Sequence, residues 1–124
     1  MRLLLDTHVL LWVLAGDRRL KRSSREIITS ARSVVVSVVS AWEIALKASA
    51  GKLRAPVDIE AAVLESGLIT TTLDFADVAE CALLPAHHPD PFDRMLVAQA
   101  RVRGLTLMTR DRQLERYDVP LLLI

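Results

Sequence analysis

Five short apolar runs punctuate this chain, and the segments between them carry helical patterning. The runs are Leu3 to Leu5, Val34 to Val36, Leu68 to Leu73 (which carries an Ile and three Thr between its leucines), Leu105 to Met108 and Leu121 to Ile124. Runs of this length that are apolar on both faces read as buried strands. Strands that alternate with helices are covered on both sides when they form a parallel sheet between two helical layers. The chain is therefore expected to be α/β, in three α/β/α layers.

The intervening segments fit that plan. Val9, Leu10, Trp12 and Val13 recur at helical spacing, and Gly16 stops that helix. Residues 23–32 predict a second, basic helix. Ser40-Ala41-Trp42-Glu43 opens a long helix that Gly51 ends, and Pro56 and Asp58 begin another that runs to about Ser66. Residues 74–84 are helical up to Pro85. Residues 85–91, with three prolines, form a connector. Phe92 to Arg103 is a helix stopped by Gly104. No repeat or interdomain linker interrupts the series, and 124 residues make one domain over 1–124.

Composition removes several classes of function. Hydrophobic residues make up 52% and aromatic residues only 4%, so the core is expected to be Leu, Val, Ala and Ile. A surface that stacks bases on several aromatics is excluded by the same figure. Cys81 is the one cysteine. No intrachain disulfide can form, and its apolar neighbours predict a buried thiol in a reducing, cytoplasmic compartment. The apolar N-terminus resembles a signal peptide, but Asp6 and His8 interrupt it too early. No stretch reaches the roughly 18 apolar residues that span a membrane. The net charge of +1 decides nothing. The arginines of two stretches, 18–25 and 94–116, are either solvated surface or phosphate contacts.

The acids matter because of where this topology sends them. In right-handed crossovers each strand ends, and the next helix begins, on one edge of the sheet. Asp6 follows the first strand directly, and Asp111 follows the fourth by three residues. Those two strands are neighbours at the switch point of a doubly wound sheet, where ligands bind. Asp6 and Asp111 should face each other there, with Glu43 close by in the first turn of the helix after strand two. Asp93 also begins a helix, but topology alone does not place it.

Each acid has a plainer reading as a helix cap. Asp6 and Asp111 are good N-caps, Ser40 and Glu43 match a capping box, and Asp90-Pro91-Phe92-Asp93 is an N-cap, a Pro at N1 and an acid near the positive helix end. Several carboxylates at one edge repel one another, however, and a cation relieves that repulsion. An all-oxygen donor set selects Mg²⁺ or Mn²⁺. His8, His87 and His88 lack zinc-motif spacing. His8 is expected to pack on its helix or support the acids, and His87 and His88 to be exposed.

The stretches LLLDTHVLLW, SAWEIALKASAGKL, HHPDPFDRMLVAQA and LMTRD, in that order, resemble PIN-domain proteins, and among them VapC-type toxins of bacterial toxin–antitoxin pairs. The resemblance covers nearly the whole chain. It implies a five-stranded parallel sheet in the order 3-2-1-4-5. It implies an acidic quartet of Asp6, Glu43, Asp93 and Asp111, with Asp93 taken because it stands eleven residues before Gly104. Asp90, Thr7, Ser40 and Thr109 are then supporting groups or caps. The implied activity is metal-dependent hydrolysis of RNA to 5′-phosphate and 3′-hydroxyl ends. Asp6, Asp93 and Asp111 would hold Mg²⁺ or Mn²⁺ directly or through water, Glu43 would help position water, and Arg94 or Arg110 would steady the phosphate. A cognate antitoxin and a homodimer are the implied partners, and the helix at 9–15 is a candidate for a dimer contact as well as for the core.

Three competitors remain. A signalling receiver domain needs an acid pair after strand one and a Lys after strand five, and both are missing. A PIN fold kept as a non-catalytic binding module is opposed by the complete quartet. Cleavage of DNA would use the same chemistry, so RNA rests on the resemblance.

Overall fold

The computed structural model describes residues 1–124. Its elements are β1 (Arg2–Leu5), α1 (Thr7–Ala15), α2 (Arg22–Ser30), β2 (Ser33–Ser37), α3 (Val38–Ser49), α4 (Ile59–Glu65), β3 (Ile69–Thr71), α5 (Phe75–Leu83), α6 (Pro91–Arg103), β4 (Thr106–Thr109) and β5 (Leu121–Leu123). A 3-10 turn at Arg112–Arg116, not foreseen from the sequence, bridges β4 and β5. The five strands form one sheet ordered β3-β2-β1-β4-β5, parallel throughout.

The central strand explains the layers. Leu3, Leu4 and Leu5 are all fully buried. Leu3 and Leu5 join Val34, Val36 and Met108 in a cluster that takes in Val9, Leu10 and Trp12 of α1. Leu4 points the other way with Val35 and Leu107, against Leu96, Val97 and Ala100 of α6. Period-two alternation thus feeds two separate cores. Each fully buried leucine contributes about 1.5–3 kcal/mol by leaving water. The apolar side of α1 is spent on this core, since Val9, Leu10 and Trp12 are buried.

Two local expectations are corrected. The helix after β2 begins at Val38, and its cap is Ser37, whose hydroxyl accepts from Val39 N. Ser40 and Glu43 therefore do not form a capping box; both lie inside the helix, and Glu43 sits in its second turn. Cys81 is half-buried on α5 rather than in the core.

Candidate active site

β1 and β4 pair in parallel with Leu5 opposite Met108, and Asp6 N–H extends the ladder to Met108 O at 3.0 Å. That bond fixes Asp6 at the carboxyl end of the sheet, beside Thr109. Asp6 caps α1, its Oδ1 accepting from Val9 N at 2.8 Å, while its Oδ2 accepts from the Thr109 hydroxyl. Asp111 caps the 3-10 turn through Gln113 N at 2.9 Å. Asp90 caps α6, accepting from Phe92 N, with Pro91 in the first turn. This start puts Asp93 one turn-position inside the helix, at the same edge.

Asp6, Asp93 and Asp111 open onto one cleft of about 290 Å³, together with His8, Trp12 and Arg110. The three carboxylates come from sequence positions far apart. Glu43 is 2% exposed, with Oε1 2.6 Å from Thr7 Oγ1 and Oε2 bonded to the Lys47 ammonium. Thr7 Oγ1 also lies 3.1 Å from Ser40 Oγ. The hydroxyls of Thr7, Ser40 and Thr109 are all buried among the acids.

The electrostatics are those of crowded anions. Burial pushes the Asp6 carboxyl above its usual value, and the hydrogen bonds from Thr109 and Val9 only partly oppose it. Asp93 is pushed up to about 7, first by burial and then by the charges of Asp90 and Asp6. A helix N-terminus favours a carboxylate by only about 0.3–1 kcal/mol, too little to reverse that rise. Asp111 goes the other way. Burial would raise it, but His88 and Gln113 N donate to it and hold it below the usual range.

His88 is the residue that sequence reasoning misplaced. It is 8% exposed, not a surface group, and its Nε2 lies 2.6 Å from Asp111 Oδ2 and 3.6 Å from Asp93 Oδ2. His88, Asp93 and Asp111 bring donor atoms within 4.8 Å of one another. The imidazole is nevertheless poorly set to bind a cation itself. Asp90 N–H donates to Nδ1 at 3.0 Å, so the neutral ring carries its proton on Nε2 and donates to Asp111. His87 is half-buried, its ring 5.1 Å from that of Tyr117.

The connector that carries His88 is pinned. Tyr117 Oη accepts from His87 N and His88 N, each at 3.1 Å, and donates to Pro85 O at 2.8 Å. Arg94 Nη1 donates to Pro85 O and to Tyr117 Oη, and Nη2 donates to Leu84 O. Arg94 is thus committed to the connector and does not line the cleft. Arg110 is exposed and does line it, with Cζ 5.2 Å from the Trp12 ring centroid.

A three-layer parallel sheet with an acid cleft at its switch point defines a doubly wound α/β domain with its candidate site where ligands of such sheets bind. Within that class the chain belongs to the PIN domain family, whose model matches residues 3–120. Ribonuclease VapC22 of Mycobacterium tuberculosis is 29% identical over 120 residues, covering 94% of this chain and 92% of the relative. The structure of VapBC2 from Rickettsia felis bound to a promoter DNA fragment superposes with a TM-score of 0.74 at 13% identity, covering 99% of this chain and 98% of that one. VapBC-5 of Mycobacterium tuberculosis, a member of the VapBC family of toxin–antitoxin systems, gives 0.63 at 20% identity over 99% and 97%. The sheet order 3-2-1-4-5 is the one the resemblance implied. No helix is long and apolar enough to cross a membrane.

Proposed function

We propose that this protein is a divalent-metal-dependent endoribonuclease, the toxin of a toxin–antitoxin pair, acting in the cytoplasm. The observation that carries the reading is the cleft in which Asp6, Asp93 and Asp111 converge at the switch point. Its three carboxylates offer oxygen donors, His88 Nε2 being turned to Asp111 as a donor, and the raised Asp93 carboxyl marks a charge excess that a Mg²⁺ or Mn²⁺ ion would relieve. The 29% identity to a protein named a ribonuclease supports RNA as the substrate. Likeness to members of toxin–antitoxin systems supports a cognate antitoxin as partner. A homodimer would be in keeping with the same family.

In this reading Asp6, Asp93 and Asp111 hold the cation, directly or through water. Bound there, a divalent cation supplies a Lewis acid that acidifies water and offsets charge on the phosphodiester. Thr109 and Val9 N orient Asp6 through its two oxygens. His88 and Gln113 N keep Asp111 ionised and turned into the cleft. Glu43, steadied by Thr7, helps to position the attacking water. Arg110 meets the phosphate, and hydrolysis leaves 5′-phosphate and 3′-hydroxyl ends.

The test is incubation of antitoxin-free protein with total cellular RNA in Mg²⁺, Mn²⁺ or EDTA, beside Asp6→Asn. Discrete fragments that need metal and vanish in the variant are expected. Intact RNA with folded wild-type protein under every metal would overturn the reading in favour of a binding module.

A further inference from the structure

Two cavities meet at His8 and Trp12. One is the cleft of Asp6, Asp93 and Asp111. The other is a groove of about 830 Å³ whose lining includes Thr7, Glu43 and Lys47. The three aspartates line the first cavity and Glu43 borders the second, close enough for its charge to be felt at Asp6 and Asp93.

The two sides differ in how their charge is balanced. Burying a carboxylate to 2% exposure is costly unless it is paired and hydrogen-bonded. Glu43 meets that condition within the protein. Thr7 serves Oε1, and the Lys47 ammonium serves Oε2. Lys47 stands four residues on, one helical turn along the same face, which is the favourable order for a Glu–Lys pair. No ammonium or guanidinium forms a salt bridge with Asp6, Asp93 or Asp111; their one such partner is His88, on Asp93 and Asp111.

We infer that Lys47 takes the place of a second metal ion, its ammonium occupying the cation position on Glu43, so that the centre binds one divalent ion on the aspartate side. The inference rests on the metal-site reading above. In two-metal nucleases the ions lie roughly 3.5–4 Å apart and share carboxylates. A second ion on Glu43 would have to displace the ammonium or sit beside it, and like charges at that range oppose both.

Calorimetric titration of the whole chain with Mn²⁺ alone, without RNA, tests this. Wild type is expected to take up one ion per chain. Lys47→Met, checked for folding by circular dichroism, should gain a second and weaker equivalent. Glu43→Gln should lose at least about tenfold less Mn²⁺ affinity than Asp93→Asn, because outer groups matter less than ligands. Two ions on wild type, one ion on Lys47→Met, or equal losses in the two acid variants would each overturn the inference. No ion on wild type would overturn the metal-site reading with it, whereas two would leave that reading standing.

Discussion

His88 Nε2 stands 2.6 Å from Asp111 Oδ2, and a third residue decides which atom carries the proton between them. Asp90 N–H donates to His88 Nδ1, so Asp111 receives a hydrogen bond from a ring oriented at both nitrogens. Asp90 thereby caps α6 with its side chain and sets the His88 tautomer with its backbone. In His88→Ala, Asp111 keeps only its Gln113 N donor, and Mn²⁺ affinity should fall about 10–100-fold. His88→Gln, whose amide reaches the same carboxylate, should recover part of that. Unchanged affinity in the alanine variant would remove His88 from the centre.

Metal-free protein should become less stable as pH rises. Asp93 titrates near 3.8 when unfolded and at about 7 when folded. Between those values the folded chain holds a proton that the unfolded chain has released. Its contribution to stability is whole below pH 3.8 and is lost as pH rises through about 7. The full effect is at most about 4 kcal/mol. Asp111, held low, acts with the opposite sign and only towards acid pH. Urea midpoints in EDTA should therefore be lower at about pH 8 than at about pH 5, and Mg²⁺ should restore the loss at the higher value. Equal midpoints would mean that Asp93 titrates like an ordinary carboxyl.

Much of this was legible in the residues. The buried runs of β1, β2 and β4 are short and apolar, and their alternation with helices admits few topologies. Asp6 and Asp111 follow from strand ends alone. Asp93 did not, because a connector whose path no periodicity encodes delivers α6 to the site. His88 was misread for the same reason: its burial depends on Tyr117 Oη, 29 residues further along the chain, holding His87 N and His88 N. The start of α3 was misread because Ser40 and Glu43 imitate a cap, whereas Ser37 at the strand end supplies it. Lys47 did carry a signal, its spacing from Glu43, but that spacing is equally common on solvated helices.

Asp6→Asn should separate catalysis from folding. An asparagine Oδ1 still accepts from Val9 N, so the cap of α1 survives. The substitution also removes a buried charge that burial disfavours. Metal-free thermal melts should show a midpoint equal to or above wild type, while RNA cleavage falls by at least about 100-fold. A large loss of stability would mean that the Thr109–Asp6 bond holds β1 to β4, and the variant could not then serve as a catalytic control.

Arg94 and Arg110 looked equivalent in sequence and should behave oppositely. Arg94 spends its guanidinium on Pro85 O, Leu84 O and Tyr117 Oη. Truncating it removes these bonds, though Pro85 O and Tyr117 Oη keep other partners, at a net cost of about 0.5–1.5 kcal/mol. Arg94→Ala should therefore lower the urea midpoint, and Arg94→Lys should recover little, because a single ammonium cannot reach several acceptors in the same geometry. Arg110 lies over Trp12 at the mouth of the acid cleft. An exposed cation–π contact is worth only about 0.5–1 kcal/mol, so Arg110→Ala should scarcely move the midpoint. Its effect should appear in cleavage, with kcat/KM reduced about 10–100-fold if the guanidinium meets the phosphate. Arg110→Lys keeps the charge and should retain part of the rate. Parallel urea melts and initial-rate measurements on the four variants decide the matter. A stability loss in Arg110→Ala with unchanged kcat/KM would make it a packing residue and leave the phosphate without a named partner.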